Sequence, residues 1–318
     1  RIRAEEKRIG LGKEIPTRKF GSTGRDLPVL GMGGAALVEM WAPSYNVELP
    51  TPDERAEMVR TAYDRGVRYF DTARVYRESE RIMGAGLEGV RDNVYLATKV
   101  ADPNPARTKA SVETSLQELR TDYLDCVQVH SPVIERAGYE GGMRVHAELE
   151  KLRSEGLVRF IGVTTHVAFE DVLRMIEAGG FDQVLLAYGY FRKGMTQMLS
   201  ARKIEYRNLC LAAAHERGMA IVAMKVLGAT IMGHNAVNVV PGYDPTKLAR
   251  IPAAAIRWVL KDERVSMLNI GVSMLSDIEK NVATVAGDAR FTDADRMLLA
   301  DFSARAYESE TVKRMRRV

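Results

Sequence analysis

The sequence has few cysteines and no long hydrophobic run. Cys126 and Cys210 are the only two thiols among 318 residues, and their spacing matches neither a zinc site nor a disulfide framework. Cys126 lies within an apolar segment and is predicted to be a small core residue. No apolar stretch approaches the roughly 18 residues that a membrane-spanning helix requires. We therefore predict no metal site and no association with a membrane.

Charge of one sign is also not concentrated in any internal segment. A net charge of +4 results from 46 Lys and Arg against 42 Asp and Glu, and acidic and basic residues alternate along the chain. Nucleic-acid-binding proteins cluster their basic residues on one face, whereas here only the ends of the chain are notably basic. No nucleic-acid partner is predicted. The hydrophobic content of 46% is ordinary for a globular protein that buries a large core.

What the sequence does contain is a repeating unit of amphipathic helix, glycine and short apolar strand. The unit occurs around Gly66, Gly156, Gly180 and Gly218. Such alternation predicts parallel strands joined by helices. The predicted strands begin near residues 29, 67, 94, 123, 158, 183, 220 and 267. Eight such units favour an α/β fold of the (β/α)8 TIM-barrel type, with a doubly wound open sheet as the alternative that periodicity alone leaves open.

The chain is longer than a minimal barrel. A single α/β barrel commonly uses about 250 residues, so residues 17–318 are expected to form one domain with extensions. Residues 1–16 are polar and basic, lack an initiating Met, and are expected to be a flexible lead-in. Because the start is missing, an export signal stays open, and a cytoplasmic location is the simpler expectation. The basic end from residue 313 onwards is expected to fray.

Two helices have recognisable boundaries in the sequence. Thr51 is followed by Pro52 and Glu54, which predicts an N-cap, a first helical residue and a capping box. A last amphipathic helix is predicted from about Asp293 to about Tyr307.

Three successive predicted strands end in side chains of different chemistry. Asp71, Lys99 and His130 close these strands, and Tyr76 lies in the loop after the first one. A carboxylate buried at a strand end costs several kcal/mol unless it is paired, so Asp71 and Lys99 are predicted to form an ion pair. A neighbouring ammonium lowers the pKa of a phenol, and an imidazole can polarise a carbonyl oxygen. The four side chains therefore suit protonation of a carbonyl oxygen while hydride arrives at its carbon, although Asp71 and Lys99 alone could be a purely structural pair.

These residues lie in segments that resemble the aldo-keto reductases. The segments are Phe-Asp-Thr-Ala-Arg-Val-Tyr (70–76), Asn-Val-Tyr-Leu-Ala-Thr-Lys-Val (93–100) and Asp-Tyr-Leu-Asp-Cys-Val-Gln-Val-His-Ser-Pro (122–132). The similarity runs from about residue 18 to about residue 286 in family order. It implies a (β/α)8 barrel whose bottom is closed by an N-terminal β-hairpin, with a C-terminal helix. It also implies a nicotinamide cofactor bound without a Rossmann domain, and no Gly-x-Gly-x-x-Gly fingerprint opens a predicted helix here.

The resemblance implies that the cofactor, NADP(H) or NAD(H), is bound by residues at the strand ends. These residues are Gly33, Gly34, Thr164, Thr165, Gln183, Met224, Lys225, Leu227, Gly271, Ser273, Asp277 and Asn281. Thr165 replaces an Asn of the family pattern, and Met224 replaces an aromatic ring found in many relatives. Asp277 stands where NADP-specific relatives usually carry a cation, so the choice between the two cofactors stays open. Lys280 could supply a compensating charge.

The function implied is reduction of an aldehyde or ketone to an alcohol by NAD(P)H, or the reverse oxidation, with Tyr76 as general acid. The loops at 35–50 and 226–245 would form the pocket for a small carbonyl substrate, with Trp41 as a candidate contact. Two alternatives remain: a Schiff-base lyase acting through Lys99 or Lys225, and a cofactor-binding regulatory subunit with little turnover. His166 has no evident catalytic partner and is interpreted as structural. The oligomeric state is not indicated.

Overall fold

The computed structural model describes residues 14–316. Its strands are β1 (Thr17–Lys19), β2 (Asp26–Pro28), β3 (Leu30–Gly33), β4 (Tyr69–Asp71), β5 (Tyr95–Val100), β6 (Leu124–Val129), β7 (Val158–Thr165), β8 (Gln183–Ala187), β9 (Ala220–Met224) and β10 (Met267–Gly271). Strands β3 to β10 are parallel neighbours in a closed barrel, and β10 pairs with β3 to complete the ring. Each observed barrel strand begins within two residues of its predicted start. The predicted (β/α)8 barrel is confirmed.

Helices follow the barrel strands and surround them. They are α1 (Ala42–Tyr45), α2 (Pro52–Asp64), α3 (Ser79–Gly86), α4 (Thr108–Glu118), α5 (Ser131–Ser154), α6 (Phe169–Ala178), α7 (Ala201–Glu216), α8 (Ala236–Val239), α9 (Pro245–Leu248), α10 (Ile251–Leu260), α11 (Leu275–Ala286), α12 (Asp293–Glu308) and α13 (Glu310–Arg316). The predicted capping box is confirmed: Thr51 accepts from the Glu54 backbone, and the Glu54 side chain accepts from the Thr51 backbone. None of the helices within residues 14–316 is long and apolar enough to cross a bilayer.

The N-terminal hairpin closes the bottom of the barrel, as expected. Phe20, in the hairpin loop, is fully buried, and its ring centroid lies 5.6 Å from that of Tyr69 and 4.9 Å from that of Tyr95. Tyr69 and Tyr95 point into the barrel from β4 and β5, so the three rings fill its lower interior. Burial of each ring is worth roughly 2 kcal/mol of hydrophobic free energy.

A buried carboxylate ties the hairpin to the outside of the barrel. The Asp125 side chain on β6 has no exposed surface and lies within 3.3 Å of Arg25 Nη2, 2.8 Å of Arg91 Nη1 and 3.1 Å of Arg159 Nη1. It also accepts a hydrogen bond of 3.0 Å from the Leu96 backbone. Because Arg25 lies just before β2, this cluster fixes the hairpin against β5 and β6.

A separate hydrophobic core lies beyond the barrel, formed by the 226–245 loop and the C-terminal helices. Ile231 and Val239 from the loop pack with Phe302 of α12 and Val312 of α13 in this core. The expectation of a frayed basic end is wrong up to Arg316, because α13 is a helix with a buried Val312. In addition, the Met198 backbone N–H donates to the Met315 carbonyl at 3.0 Å.

The expected flexible lead-in lies mostly outside the described residues, since residues 1–13 are not described. At its end, Ile15 is buried, and an added Cβ on Gly66 would lie 3.5 Å from the Ile15 side chain. The Pro16 carbonyl accepts from the Val29 backbone at 2.8 Å. The packed part of the chain therefore includes Ile15 and Pro16.

A Gly-x-Gly-x-x-Gly sequence does occur, at residues 84–89, but it ends a helix instead of opening one. An added Cβ on Gly84 would lie 2.6 Å from the Glu118 carbonyl oxygen, and one on Gly86 would lie 2.6 Å from the Ala56 carbonyl oxygen. These glycines allow α3 to pack closely between α2 and α4, and the spacing is not that of a dinucleotide-binding turn.

Candidate active site

Asp71 and Lys99 form a buried ion pair at the carboxyl ends of β4 and β5. The Lys99 ammonium donates to Asp71 Oδ1 and to the Thr72 carbonyl oxygen at 2.6 Å. Their side chains are 3% and 2% exposed. The pairing that the sequence required of a buried carboxylate is therefore present, since an unpaired ion here would cost several kcal/mol.

Two further donors, which the sequence did not indicate, saturate the same carboxylate. Gln128 Nε2 on β6 donates to Asp71 Oδ2 at 2.6 Å, and Asn269 Nδ2 on β10 donates to Asp71 Oδ1 at 3.1 Å. Both side chains are buried. The available signal was an amide side chain within a predicted strand. Asp71 therefore has donors from three other strands of the barrel.

Tyr76 and His130 lie beside this pair. The Lys99 ammonium is 5.3 Å from the centroid of the Tyr76 ring. The Tyr76 and His130 rings are 5.8 Å apart and meet edge to face at 79°. His130 is buried, and its Nδ1 has no hydrogen-bond partner among the described residues. The structure thus brings all four predicted catalytic side chains to one place at the carboxyl end of the barrel.

The electrostatics of the two rings favour their neutral forms. Burial raises the pKa of the Tyr76 phenol above its ordinary value, and the Asp71 carboxylate makes a smaller contribution in the same direction. The expectation that Lys99 lowers this pKa is therefore wrong, because burial disfavours the phenolate and the nearby Asp71 carboxylate disfavours it further. Burial lowers the pKa of His130 well below its usual value, and the charge of Lys99 makes a smaller contribution in the same direction. At neutral pH the site presents an uncharged phenol and an uncharged imidazole.

The loop from Asp71 to Tyr76 is anchored by α3. The Glu80 carboxylate is fully buried and accepts from Thr98 Oγ1 at 2.6 Å and from Ser115 Oγ at 2.7 Å. It also pairs with Arg74, within the loop itself. The Ser79 hydroxyl bonds with that of Thr72 at 2.8 Å. These contacts hold the backbone that carries Tyr76, which lets a loop residue keep a defined position.

The predicted cofactor residues on β7 and β8 have different amounts of free hydrogen-bonding capacity. Thr164 Oγ1 and Gln183 Oε1 are buried and have no partner among the described residues. Gln183 Nε2 donates to the Tyr69 hydroxyl at 3.0 Å. In contrast, Thr165 Oγ1 already accepts from the backbones of Val167 and Ala168, at 3.1 and 2.8 Å. Thr165 therefore stabilises the turn before α6, and only its hydroxyl proton is left to donate.

The predicted glycines at the ends of β3 and β10 let the chain pack closely on itself. An added Cβ on Gly33 would lie 3.0 Å from Asn269 Oδ1, and one on Gly34 would lie 2.4 Å from Ser79 Oγ. On Gly271 it would lie 2.9 Å from the Ala36 Cβ. Any larger residue at these positions would displace the surrounding groups of the active-site wall.

Tyr45, on α1, is a polar residue of this region that sequence reasoning missed. Its hydroxyl would be 3.5 Å from a Cβ built on Gly271. Burial, with a smaller contribution from Tyr76, raises the pKa of Tyr45 to about 12. The 35–50 loop therefore brings a second neutral phenol to the active-site side of the barrel.

The same loop carries Trp41. This residue is half-buried, and its indole Nε1 has no partner among the described residues. The buried Arg55 guanidinium donates to the Leu37 carbonyl oxygen and lies 3.3 Å from Glu39 and 3.2 Å from Glu78. Arg55 thus ties the loop to α2 and to the segment before α3.

At the start of α11, Asp277 is engaged with the protein itself. Asp277 Oδ2 accepts from the Ser273 and Met274 backbones, each at 3.1 Å, and Asp277 Oδ1 bonds to His234 Nε2 at 2.8 Å. Burial alone would raise the pKa of Asp277, but the contact with His234 and the two backbone donors hold it below its usual value. His234 thereby connects the 226–245 loop to the segment that follows β10.

The remaining predicted cofactor residues lie in two different environments. Met224 and Leu227 are half-buried at and after the end of β9. Asn281 is buried on α11 and lines a small apolar gap against Met32 and Ile270, on the outer side of β3 and β10. Within residues 14–316, no three His, Cys, Asp or Glu side chains are placed to share a metal ion.

The fold and the site define a (β/α)8-barrel protein that gathers an acid–base set at the carboxyl ends of its strands, where barrel enzymes carry their active sites. The model of the Aldo/keto reductase family matches residues 29–238, and the chain belongs to this family of oxidoreductases.

Named relatives agree with this assignment over most of the chain. L-galactose dehydrogenase of Arabidopsis thaliana is 25% identical over 299 residues, covering 86% of this chain and 88% of that protein. D-threo-aldose 1-dehydrogenase of a Pseudomonas species is 24% identical over 318 residues, covering 83% and 91%. The holo form of aldo-keto reductase AKR11C1 from Bacillus halodurans superimposes with a TM-score of 0.69 at 20% identity, over 91% of this chain and 96% of that one. This last similarity concerns the fold.

Proposed function

We propose that the protein interconverts an aldehyde or ketone and the corresponding alcohol, with a nicotinamide cofactor as hydride carrier and Tyr76 as the proton donor. The observation that carries the proposal is the placement of Tyr76 and His130, with ring centroids 5.8 Å apart, beside the buried Asp71–Lys99 pair. The relatives named as dehydrogenases support including the oxidative direction.

The residues present fit a nicotinamide carboxamide. This group needs both a donor and an acceptor, and the buried Thr164 Oγ1 and Gln183 Oε1 have no partner among the described residues. Met224 offers half-buried apolar surface at the end of β9, and Leu227, Gly33, Gly34 and Gly271 border the same end of the barrel. A bound reduced nicotinamide supplies hydride. The protein's part is to orient that ring and to exclude water from it.

Tyr76 would deliver the proton to the carbonyl oxygen. Its raised pKa keeps the phenol protonated at neutral pH, which a general acid requires. The Lys99 ammonium, 5.3 Å from the centre of the ring, would stabilise the phenolate that remains once the proton has left. Asp71 holds this ammonium in place, and the neutral His130 can donate a ring N–H to the same carbonyl oxygen.

Substitution of Tyr76 by Phe tests this role. We expect Tyr76→Phe to reduce kcat by at least about a hundredfold, the usual contribution of a general acid, while the dissociation constant of the reduced cofactor stays near that of the unaltered protein. Tyr123→Phe is the matched control, since among the described residues the Tyr123 hydroxyl bonds only to the exposed Asp92 side chain. Undiminished turnover in Tyr76→Phe would exclude the proposed role.

The cofactor preference follows from Asp277. Its carboxylate already occupies the Ser273 and Met274 backbone donors and would repel a second anion there. We infer that NADH binds at least as tightly as NADPH. Fluorescence titration with each nucleotide tests the inference, and exclusive binding of NADPH would require Lys280 or another cation to serve the 2′-phosphate.

A Schiff-base reaction is the second candidate, because burial and the charge of Lys193 lower the pKa of Lys225 to about 8. Such a lysine is more nucleophilic at neutral pH than an ordinary one. Lys99 is less suited, since Asp71 and the Thr72 carbonyl oxygen hold its ammonium. Borohydride in the presence of a carbonyl compound would trap the adduct as a mass increase on Lys225. Cofactor binding with neither turnover nor trapping would instead support a regulatory subunit.

A further inference from the structure

Three loops meet on one side of the barrel mouth, those that follow β7, β8 and β9. An added Cβ on Gly194 would lie 3.3 Å from the His166 carbonyl oxygen, and one on Gly189 would lie 2.4 Å from the Lys225 carbonyl oxygen. The loop after β8 is thus packed between its two neighbours. It carries Lys193, next to Gly194 in sequence, so the contacts bring Lys193, His166 and Lys225 to the same side.

The two lysines have no acidic partner. Burial lowers the pKa of Lys193, and burial together with the charge of Lys193 lowers that of Lys225. No carboxylate contributes to either change in pKa, and neither ammonium forms an ion pair within residues 14–316. Two partly buried cations that repel each other are unfavourable unless something else supplies negative charge.

His166 is a third group with unused capacity in this cluster. It is 6% exposed, and its Nδ1 has no hydrogen-bond partner among the described residues. Burial lowers the pKa of His166, and the charge of Lys225 lowers it further. A purely structural histidine would be expected to bond to its surroundings at such a depth. Its position between Lys225 and His130 places the cluster next to the proposed catalytic groups.

We propose that Lys193, Lys225 and His166 bind the carboxylate or phosphate group of an acidic carbonyl substrate, whose carbonyl carbon lies near Tyr76 and His130. This rests on the proposed function. The anion supplies the negative charge that the two ammonium groups lack, and the imidazole supplies a hydrogen bond. Lysine binds such groups as a point charge, so the site selects for charge more than for shape. Lys225 then serves the substrate, in place of the cofactor role that the resemblance implied.

Matched pairs of aldehydes test the substrate class. In one pair, 4-carboxybenzaldehyde is compared with its neutral methyl ester; in the other, glyceraldehyde 3-phosphate is compared with glyceraldehyde. We expect the unaltered protein to have the higher kcat/KM for the acidic member of at least one pair, and the pair that shows it identifies the anion. Lys193→Met and Lys225→Met should each reduce this preference about tenfold, the value of one charged hydrogen bond. Lys151→Met, which alters an exposed lysine on α5, should leave it unchanged.

Two further measurements keep the inference separate from the proposed reaction. Inorganic phosphate should raise the thermal unfolding temperature of the unaltered protein, and the increase should be lost in the Lys193→Met, Lys225→Met double variant. Without an anion, Lys225→Met should be at least as stable as the unaltered protein, because it removes a partly buried cation that has no acidic partner among the described residues.

Three results would overturn the anion site: equal kcat/KM values within both pairs, no stabilisation by phosphate, or lysine variants that weaken NADH binding and leave the substrate preference intact. The last result would assign the cations to the cofactor phosphates. If the protein binds no nucleotide and reduces neither member of any pair, the proposed function fails, while the phosphate measurement still decides the anion site.

Discussion

Replacement of Gln128 by Glu should introduce a pH-dependent loss of stability. The amide nitrogen of Gln128 donates to Asp71 Oδ2 at 2.6 Å in a buried site. The isosteric carboxyl group would face Asp71 at that distance. Two carboxylates so close do not both ionise, and one of them retains a proton. The protonated carboxyl can then donate to Asp71 as the amide does now.

The size of the effect follows from proton linkage. In the unfolded chain the introduced carboxyl has a pKa of about 4.3, and in the folded protein it keeps its proton to pH 7 or above. Its raised folded-state pKa means that stability is fully present below about pH 4.3 and declines as pH rises towards the folded-state value. The cost at pH 7 is about 4 kcal/mol, since keeping the carboxyl protonated costs about 1.4 kcal/mol for each pH unit above its unfolded-state pKa. At pH 4.5 the same cost should be only about 0.6 kcal/mol.

Urea unfolding of Gln128→Glu and of the unaltered protein, at pH 7 and at pH 4.5, measures this difference. Gln117→Glu is the control: it makes the same chemical change at an exposed position on α4 and should alter stability by less than about 0.5 kcal/mol at both pH values. An equal loss at pH 7 and at pH 4.5 in Gln128→Glu would refute the reasoning, because a packing defect does not depend on pH.

Two other predictions concern stability. His130 and His166 have pKa values well below that of an unfolded histidine, so the unfolded chain binds more protons than the folded protein below about pH 6.5. Lowering the pH should therefore reduce the free energy of unfolding, by up to about 1.4 kcal/mol per pH unit for each histidine. Urea unfolding at pH 6.5 and 5.5 should show about half this pH dependence in His166→Gln. Asp125→Asn should reduce the free energy of unfolding by about 3 kcal/mol at pH 7 in the same assay, because three arginines lose the fully buried carboxylate that they surround. A reduction below about 0.5 kcal/mol would show that this cluster does not stabilise the protein.

The barrel was predictable because its signals are local. A glycine that ends a helix and a short apolar run after it, as at Gly66 and Gly218, mark the start of a strand without any knowledge of the other strands. The ion pair of Asp71 with Lys99 was predictable for a related reason, since a charge at the end of an apolar strand requires an opposite charge nearby.

Features that depend on the whole assembly were not predictable in the same way. Gln128 and Asn269 meet Asp71 only because three strands, far apart in sequence, point these residues into one ring at the same height. The direction in which the pKa of Tyr76 moves depends on how deeply the folded protein buries the phenol and on how close Asp71 lies, which the order of residues along the chain does not give. The approach of Tyr45 to Gly271 depends on the path of a long loop whose sequence has little periodicity.

The closure of the barrel between β10 and β3 has a consequence for synthesis of the protein. Leu30 pairs with Leu268, so the first barrel strand leaves the ribosome long before its last partner exists. At typical translation rates the intervening chain takes on the order of 10 to 50 s to make. During that time one edge of a mostly apolar sheet has no neighbour. The nascent protein therefore depends on keeping this edge from pairing with other chains until β10 emerges, and slow translation between β9 and β10 would prolong that exposure.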